Sequence, residues 1–256
     1  MEGGRRSRPI LVHQISAVRQ SGQGDVGFVL WPSSVYLARY LTQTPAGVEA
    51  VSGKRVVELG CGCGVTGLAV ALLSSTPTTT TISSSPPPPP PPASVTLTDF
   101  NDAVVANAAF NLALNDLSAP RHTACRFDFY ASSLSPALSV EGSVDTIIAA
   151  DVVCCAEDAT ALASALAKLL SNNRSAVAHV VFASGKHRFG VDDFPREARR
   201  RRGEGLLLES STVISPTDPG REQLFRGAEL TAGYDEKAMT FVHHRLRFCE
   251  EGSSFE

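Results

Sequence analysis

The chain has 256 residues, of which 43% are hydrophobic and 19% charged, and its net charge is −3. That is enough apolar side chain for one sizeable α/β domain, and too little net charge to imply bulk binding to nucleic acid or to a membrane surface. No apolar run approaches the roughly 20 residues that span a bilayer.

The N-terminal "MEGGRRSRP" is basic but lacks the apolar segment of a secretory signal. It reads as a tail, with organelle targeting as the alternative, and the organisation expected is a tail or strand extension over 1–23 and a domain over 24–249. A second short tail, 250–256, closes the chain. A helix is predicted at 32–43, a strand at 55–59 and a helix at 65–73. Residues 74–94, "SSTPTTTTISSSPPPPPPPAS", contain seven consecutive prolines, which neither continue a helix nor pair in a central strand. They predict a disordered, solvated spacer inserted into the domain; a docking site for a proline-binding domain is the alternative.

Beyond the insertion the pattern resumes. It runs strand 94–99, helix 101–115, strand-like 123–129, strand 144–151, alanine-rich helix 157–171, strand 176–184 and a helix near 191–202. Two further strands, 205–214 and 239–248, have no convincing helix between them and predict an antiparallel hairpin at one edge. Strands alternating with helices make this a doubly wound α/β sheet, mostly parallel and covered on both faces. The basic helix end "REARRRR" (196–202) reads as a solvated face, with an acidic partner as the alternative. The six cysteines lack zinc or disulfide-framework spacing and read as reduced thiols. His243 and His244 alternate across a strand and cannot clamp one metal, so no metal is expected.

The informative stretch is "KRVVELGCGCGVTGLAVALL" (54–73), in which a strand runs through Gly60, Gly62 and Gly64 into a helix. Such a turn lets a backbone approach a phosphate or a nucleoside, and the absence of Gly-Lys-Ser/Thr excludes a P-loop. A nucleoside reading requires an acid about 20 residues on, at the end of the next strand. Asp99 lies 39 residues after Gly60; setting aside the 21-residue insertion leaves 18. Its competing reading is a cap on the helix that follows. Glu58, two residues before the first glycine, would repel a pyrophosphate and attract a sulfonium or ammonium, which favours S-adenosylmethionine over a dinucleotide.

Together, "VVELGCGCGVTGLAVALL", "VTLTDFNDAVVANAAFNLALN" and "VDTIIAADVVCCAEDATALASALAKLL" resemble successive motifs of class I, seven-β-strand methyltransferases. "GDVGFVLWPSSVYLARYL" (24–41) is similar, more narrowly, to the family-16 protein methyltransferases, which include calmodulin-lysine and valosin-containing-protein-lysine methyltransferases. The resemblance implies a Rossmann-like sheet of order 3-2-1-4-5-7-6, S-adenosyl-L-methionine as cofactor and a lysine of a protein substrate as methyl acceptor. It also implies site roles. Trp31 would pack beside the cofactor, Glu58, Gly60, Gly62 and Gly64 would surround its methionine part, and Asp99 would hold the ribose. Asp128 and Phe129 would sit near the adenine, Phe129 standing where the family's usual residue is Trp. Ala150 would line the site, and Asp151 would be the substrate-side catalytic group, with capping of the next helix as its other reading. The departure is Cys154, where the family's D-x-x-Y/F segment carries an aromatic; a thiol has no ring face for an ammonium. Either another aromatic such as Tyr130 substitutes, or the acceptor is not a lysine. The other readings are a small-molecule N-methyltransferase and a non-catalytic cofactor-binding or interaction protein. A cytoplasmic monomer is expected, with the nucleus as the alternative compartment.

Overall fold

The structure, a computed structural model, describes residues 9–14, 23–74, 89–134, 136–139, 144–184, 189–219 and 239–250. A 3-10 turn (Gln23–Phe28) leads into α1 (Pro32–Gln43) and α2 (Pro45–Val51). Proline at the first helical position starts both helices, and the Thr44 hydroxyl accepts the Gly47 N–H at the head of α2. The Thr44–Pro45 pair is the signal of α2 that the sequence reading passed over. There follow β1 (Arg55–Leu59), α3 (Val65–Ala71), β2 (Ser94–Asp99), α4 (Asp102–Leu114) and β3 (His122–Arg126). The short α5 (Pro136–Ser139), β4 (Thr146–Ala150), α6 (Ala156–Asn172), β5 (Val177–Ser184), α7 (Phe194–Arg200), β6 (Leu206–Ile214) and β7 (Thr240–Phe248) complete the fold.

The strands form one sheet of order β3-β2-β1-β4-β5-β7-β6, as the resemblance implies, with β7 antiparallel to both neighbours, as the edge hairpin read from the sequence requires. Alternating side chains divide the core. Val57, Leu59, Ile147, Ala149, Val180 and Phe182 face α6 and α7, while Val56, Ile148 and Val181 face α1, α3 and α4. Chain order reverses between β1 and β4, and ligands of open α/β sheets bind beyond the strand ends at such a switch point. The register pairs Leu59 with both Thr98 and Ala149, so the ends of β1, β2 and β4 are level. Gly60, Asp99 and Ala150 therefore emerge on the same edge.

Two expected strands are shorter than predicted. β3 ends at Arg126 and β4 at Ala150, which leaves Asp128, Phe129 and Asp151 in the loops beyond. The helix read near 191–202 is split into a 3-10 turn (Val191–Asp193), α7 and a second 3-10 turn (Arg201–Glu204). The insertion joins the end of α3 to the start of β2, on the sheet edge opposite Gly60. Residues 75–88 lie outside the described residues. Its last part is held in place: Gly53 N–H donates to Pro91 O, Ala93 N–H to Lys54 O, and the Arg121 guanidinium to Pro92 O. Residues 9–14, part of the expected tail, lie along α4; residues 1–8, 15–22 and 251–256 are outside the described residues.

Candidate active site

The turn after β1 needs left-handed backbone at three alternate positions, with φ of +59° at Gly60, +52° at Gly62 and +78° at Gly64. At Gly67, on the buried side of α3, a Cβ would lie 2.2 Å from Leu97 Cδ2 and 2.8 Å from Glu58 Oε2. That closeness explains Glu58. It is 2% exposed beneath α3, and its Oε2 accepts the Gly67 N–H at 2.8 Å. The helix has only Gly64 at its N-cap, with no side chain to offer, so a carboxylate from the strand occupies its positive end. An anionic pyrophosphate at this helix end would meet that carboxylate. Burial pushes the Glu58 carboxyl up to about 8, with the hydrogen bond from Gly67 opposing the shift.

Asp99 closes β2, 7% exposed. Its Oδ2 accepts the Gly62 N–H at 3.3 Å and its Oδ1 the Asn101 N–H at 3.1 Å. It does not cap α4; Asn101 does, accepting the Ala103 N–H at 2.9 Å. Two backbone donors thus orient the Asp99 carboxylate and leave lone pairs for a ligand, while burial raises its pKa. Cys61 and Cys63 flank Gly62, and burial raises both thiols, Cys63 to about 12, so they are neutral wall groups.

Asp151 is the first residue beyond β4 and has φ +56°, an unusual left-handed conformation for a side-chain-bearing residue. Its Oδ1 accepts the Ala183 N–H at 2.8 Å and its Oδ2 the Ser33 hydroxyl at 2.7 Å. The carboxylate therefore ties β5 to the first turn of α1, and the expected capping of α6 falls to another residue. Asp158 Oδ2 accepts the N–H groups of Cys154 (2.7 Å) and Cys155 (3.1 Å), while its Oδ1 accepts the Tyr130 hydroxyl. Sequence reasoning missed Asp158 although an acid three residues after the N-cap is a capping-box signal. It missed Ser33 for want of any local signal, the bond to Asp151 spanning 118 residues.

The remaining wall comes from the loops. Trp31, at the N-cap of α1, donates its indole N–H to Val26 O at 2.9 Å. Asp128 turns back to accept the Tyr130 N–H, and Phe129 stacks on Tyr130 with centroids 5.5 Å apart. These groups enclose a cavity of about 540 Å³. All ten residues expected to form the site (Trp31, Glu58, Gly60, Gly62, Gly64, Asp99, Asp128, Phe129, Ala150 and Asp151) are brought to this edge of the sheet. Nine of them line the cavity, and Gly64 stands behind as the N-cap of α3. The acidic side chains in its lining are Glu58, Asp99, Asp128, Asp151 and Asp158; no described Lys, Arg or His joins them. Among the described residues no cluster of three potential metal ligands occurs.

A seven-stranded sheet of this order, with an acid-lined cavity at its switch point, is a Rossmann-like α/β architecture. The family model described as "Lysine methyltransferase" matches residues 12–196, and the chain belongs to that family. It is 26% identical over 156 residues to the human protein-lysine N-methyltransferase EEF2KMT, a match covering 57% of this chain and 41% of that protein. A 44-residue stretch is 43% identical to the electron transfer flavoprotein beta subunit lysine methyltransferase of Danio rerio, covering 17% of this chain and 16% of that one. The fold matches the crystal structure of TYW2 from M. jannaschii in complex with AdoMet, with a TM-score of 0.51 at 13% identity, over 88% of this chain and 81% of that chain. The aligned part of this chain thus spans well under half the length of the human relative.

Proposed function

We propose that this chain is an S-adenosylmethionine-dependent methyltransferase that methylates a lysine side chain of a partner protein. The observation that carries the reading is the acidity of the cavity: five acidic side chains, with no described cation among them, suit a ligand bearing a sulfonium and an ammonium beside an amine acceptor. The cofactor suits the glycine turn, where Gly60 and Gly62 present backbone without side chains to the cavity, and Asp99, whose orientation by two N–H groups suits a ribose diol. Trp31, Phe129 and Ala150 would supply the apolar walls, with Asp128 at the adenine end. S-adenosylmethionine, when bound, supplies an electrophilic methyl group on a good leaving group.

The chain's own part is alignment and exclusion of water. Asp151, held by Ser33 and Ala183, places a carboxylate at the substrate side, where it would orient an incoming amine and favour its approach. Tyr130, 55% exposed and fixed by Asp158 and Phe129, would present the ring face that Cys154 lacks. No helix among the described residues is long and apolar enough to cross a membrane. All six cysteines are free thiols, which supports a reducing compartment such as the cytoplasm.

The test is incubation of the purified protein with methyl-labelled S-adenosylmethionine and a cell lysate. Label is expected in a protein band and, after hydrolysis, in methyl-lysine, and at sub-saturating cofactor it should fall with Asp99→Ala. Label confined to small molecules would move the assignment to a small-molecule methyltransferase. Binding of NAD in place of S-adenosylmethionine would overturn the cofactor.

A further inference from the structure

Helix α4 carries Asn107 and Asn111, with Asn115 at its C-cap, spaced four apart on one buried stripe, although asparagine is a poor helix former. Each is spent on residues 9–14. Asn115 Oδ1 accepts the Leu11 N–H at 2.9 Å and its Nδ2 donates to Leu11 O at 2.6 Å. Asn111 Oδ1 accepts the His13 N–H at 2.7 Å, and its Nδ2 donates to His13 O at 3.2 Å. Asn107 bonds the His13 ring and carbonyl. The side-chain amides behave as the edge of a sheet. One helical step of four residues rises about 6 Å, and two residues of extended chain span about 6.6 Å, so alternate residues of the segment meet successive asparagines.

Asn111 also does something its neighbours do not. Its Nδ2 donates to Cys63 O at 3.0 Å, inside the Gly60–Gly64 turn. The segment reaches the cavity wall a second way: Gln14 Oε1 accepts the Leu30 N–H, and Val12 packs on the Leu30–Val35–Val65 cluster. We infer that Asn111 is a positioning residue for the cofactor, holding the glycine turn and residues 9–14 as one unit, so that the N-terminal segment is a working part of the cofactor site. With Asn111 at 0% exposure, each of its bonds is expensive to leave unmade, and the turn's carbonyl and the segment stand or fall together.

The inference rests on the cofactor reading, and the test separates the two. Calorimetry with S-adenosylhomocysteine on the unaltered protein comes first; absence of binding there overturns the cofactor reading and this inference with it. Given binding, Asn111→Leu, which keeps the branched skeleton without its polar atoms, should raise Kd at least tenfold in protein that circular dichroism shows to be folded. A folded variant whose Kd stays within twofold has lost only a structural contact, and the inference fails. Hydrogen exchange on the unaltered protein decides the matter even if the variant does not fold. Coupling is reciprocal, so S-adenosylhomocysteine must slow exchange of the Leu11 and His13 amides at least severalfold. Unchanged exchange there overturns it.

Discussion

At the scale of single residues, the two acids that matter most work differently. Asp99 is pointed at the cavity by the backbone N–H groups of Gly62 and Asn101. Asp99→Ala should weaken S-adenosylhomocysteine binding by roughly 1–3 kcal/mol, the worth of lost hydrogen bonds to a charged group, with little change in melting temperature; unaltered affinity in calorimetry would sink the ribose assignment. Asp151 is built into the scaffold through Ser33 and Ala183. Asp151→Asn keeps an acceptor for Ala183 and a partner for Ser33, and asparagine tolerates positive φ. The expected result is a folded protein with near-normal cofactor affinity and a kcat lowered by about ten- to a hundredfold, since substrate-orienting charge of this kind contributes on the order of 1–3 kcal/mol. A kcat within twofold of the parent would reduce Asp151 to a structural tie. Tyr130→Ala should raise the KM for the protein acceptor while leaving the cofactor Kd in place, and the reverse pattern would put the ring at the adenine end instead.

At the scale of elements, the most consequential packing lies between α1 and the antiparallel strands. Tyr36 stacks on Phe241, Tyr40 meets His243 edge-on at 4.6 Å, and His179 Nδ1 lies 3.0 Å from His243 Nε2. That last bond needs one ring to accept, so the pair cannot be doubly charged. Burial pushes His179 down to about 3 and His243 and His244 to about 4, against an unfolded value near 6.5. Between those limits the unfolded chain binds more protons than the folded one. The stability from these groups is therefore complete above pH about 6.5 and is lost as the pH falls towards 4, at about 1.4 kcal/mol per pH unit for each group still titrating. Glu58 and Asp99, whose pKa values are raised, act in the opposite sense but are outnumbered. Urea midpoints should thus drop steeply from pH 7 to pH 5, and the double variant His179→Leu/His243→Leu should flatten that slope; an unchanged slope would show that these rings are not the sensitive groups.

At the scale of the whole molecule, the cavity and the described ends of the insertion lie at opposite edges of one sheet. The insertion's return is fastened to the Gly53–Lys54 turn and to Arg121, far from the ends of β1 and β4. Replacing residues 75–88 by a short Gly-Ser linker should leave cofactor affinity within twofold. It should shift stability little, because loop-closure entropy changes by only about 0.6 kcal/mol per doubling of length. A large loss of affinity would mean that the insertion reaches the site.

The fold, and the gathering of the candidate site residues at one edge of the sheet, were legible in the residues. Periodicity and glycine placement are local properties, and a strand–glycine–helix unit with an acid one strand later can be read once the insertion is set aside. The strand order comes from the resemblance to class I methyltransferases, while the residues themselves indicate the doubly wound sheet and its edge hairpin. What the chain could not disclose is which groups a side chain meets across long separations. Glu58 reads as a charge beside a pocket and is in fact the cap of α3; Asp151 reads as a catalytic acid or helix cap and is tied to Ser33 and Ala183. Asn107, Asn111 and Asn115 read as ordinary helix positions and hold a segment about a hundred residues away. Local pattern determined where the backbone turns, because sterics and hydrogen bonding act over a few residues. Only the tertiary structure decided which buried polar groups satisfy one another, because that depends on which distant elements the core brings together.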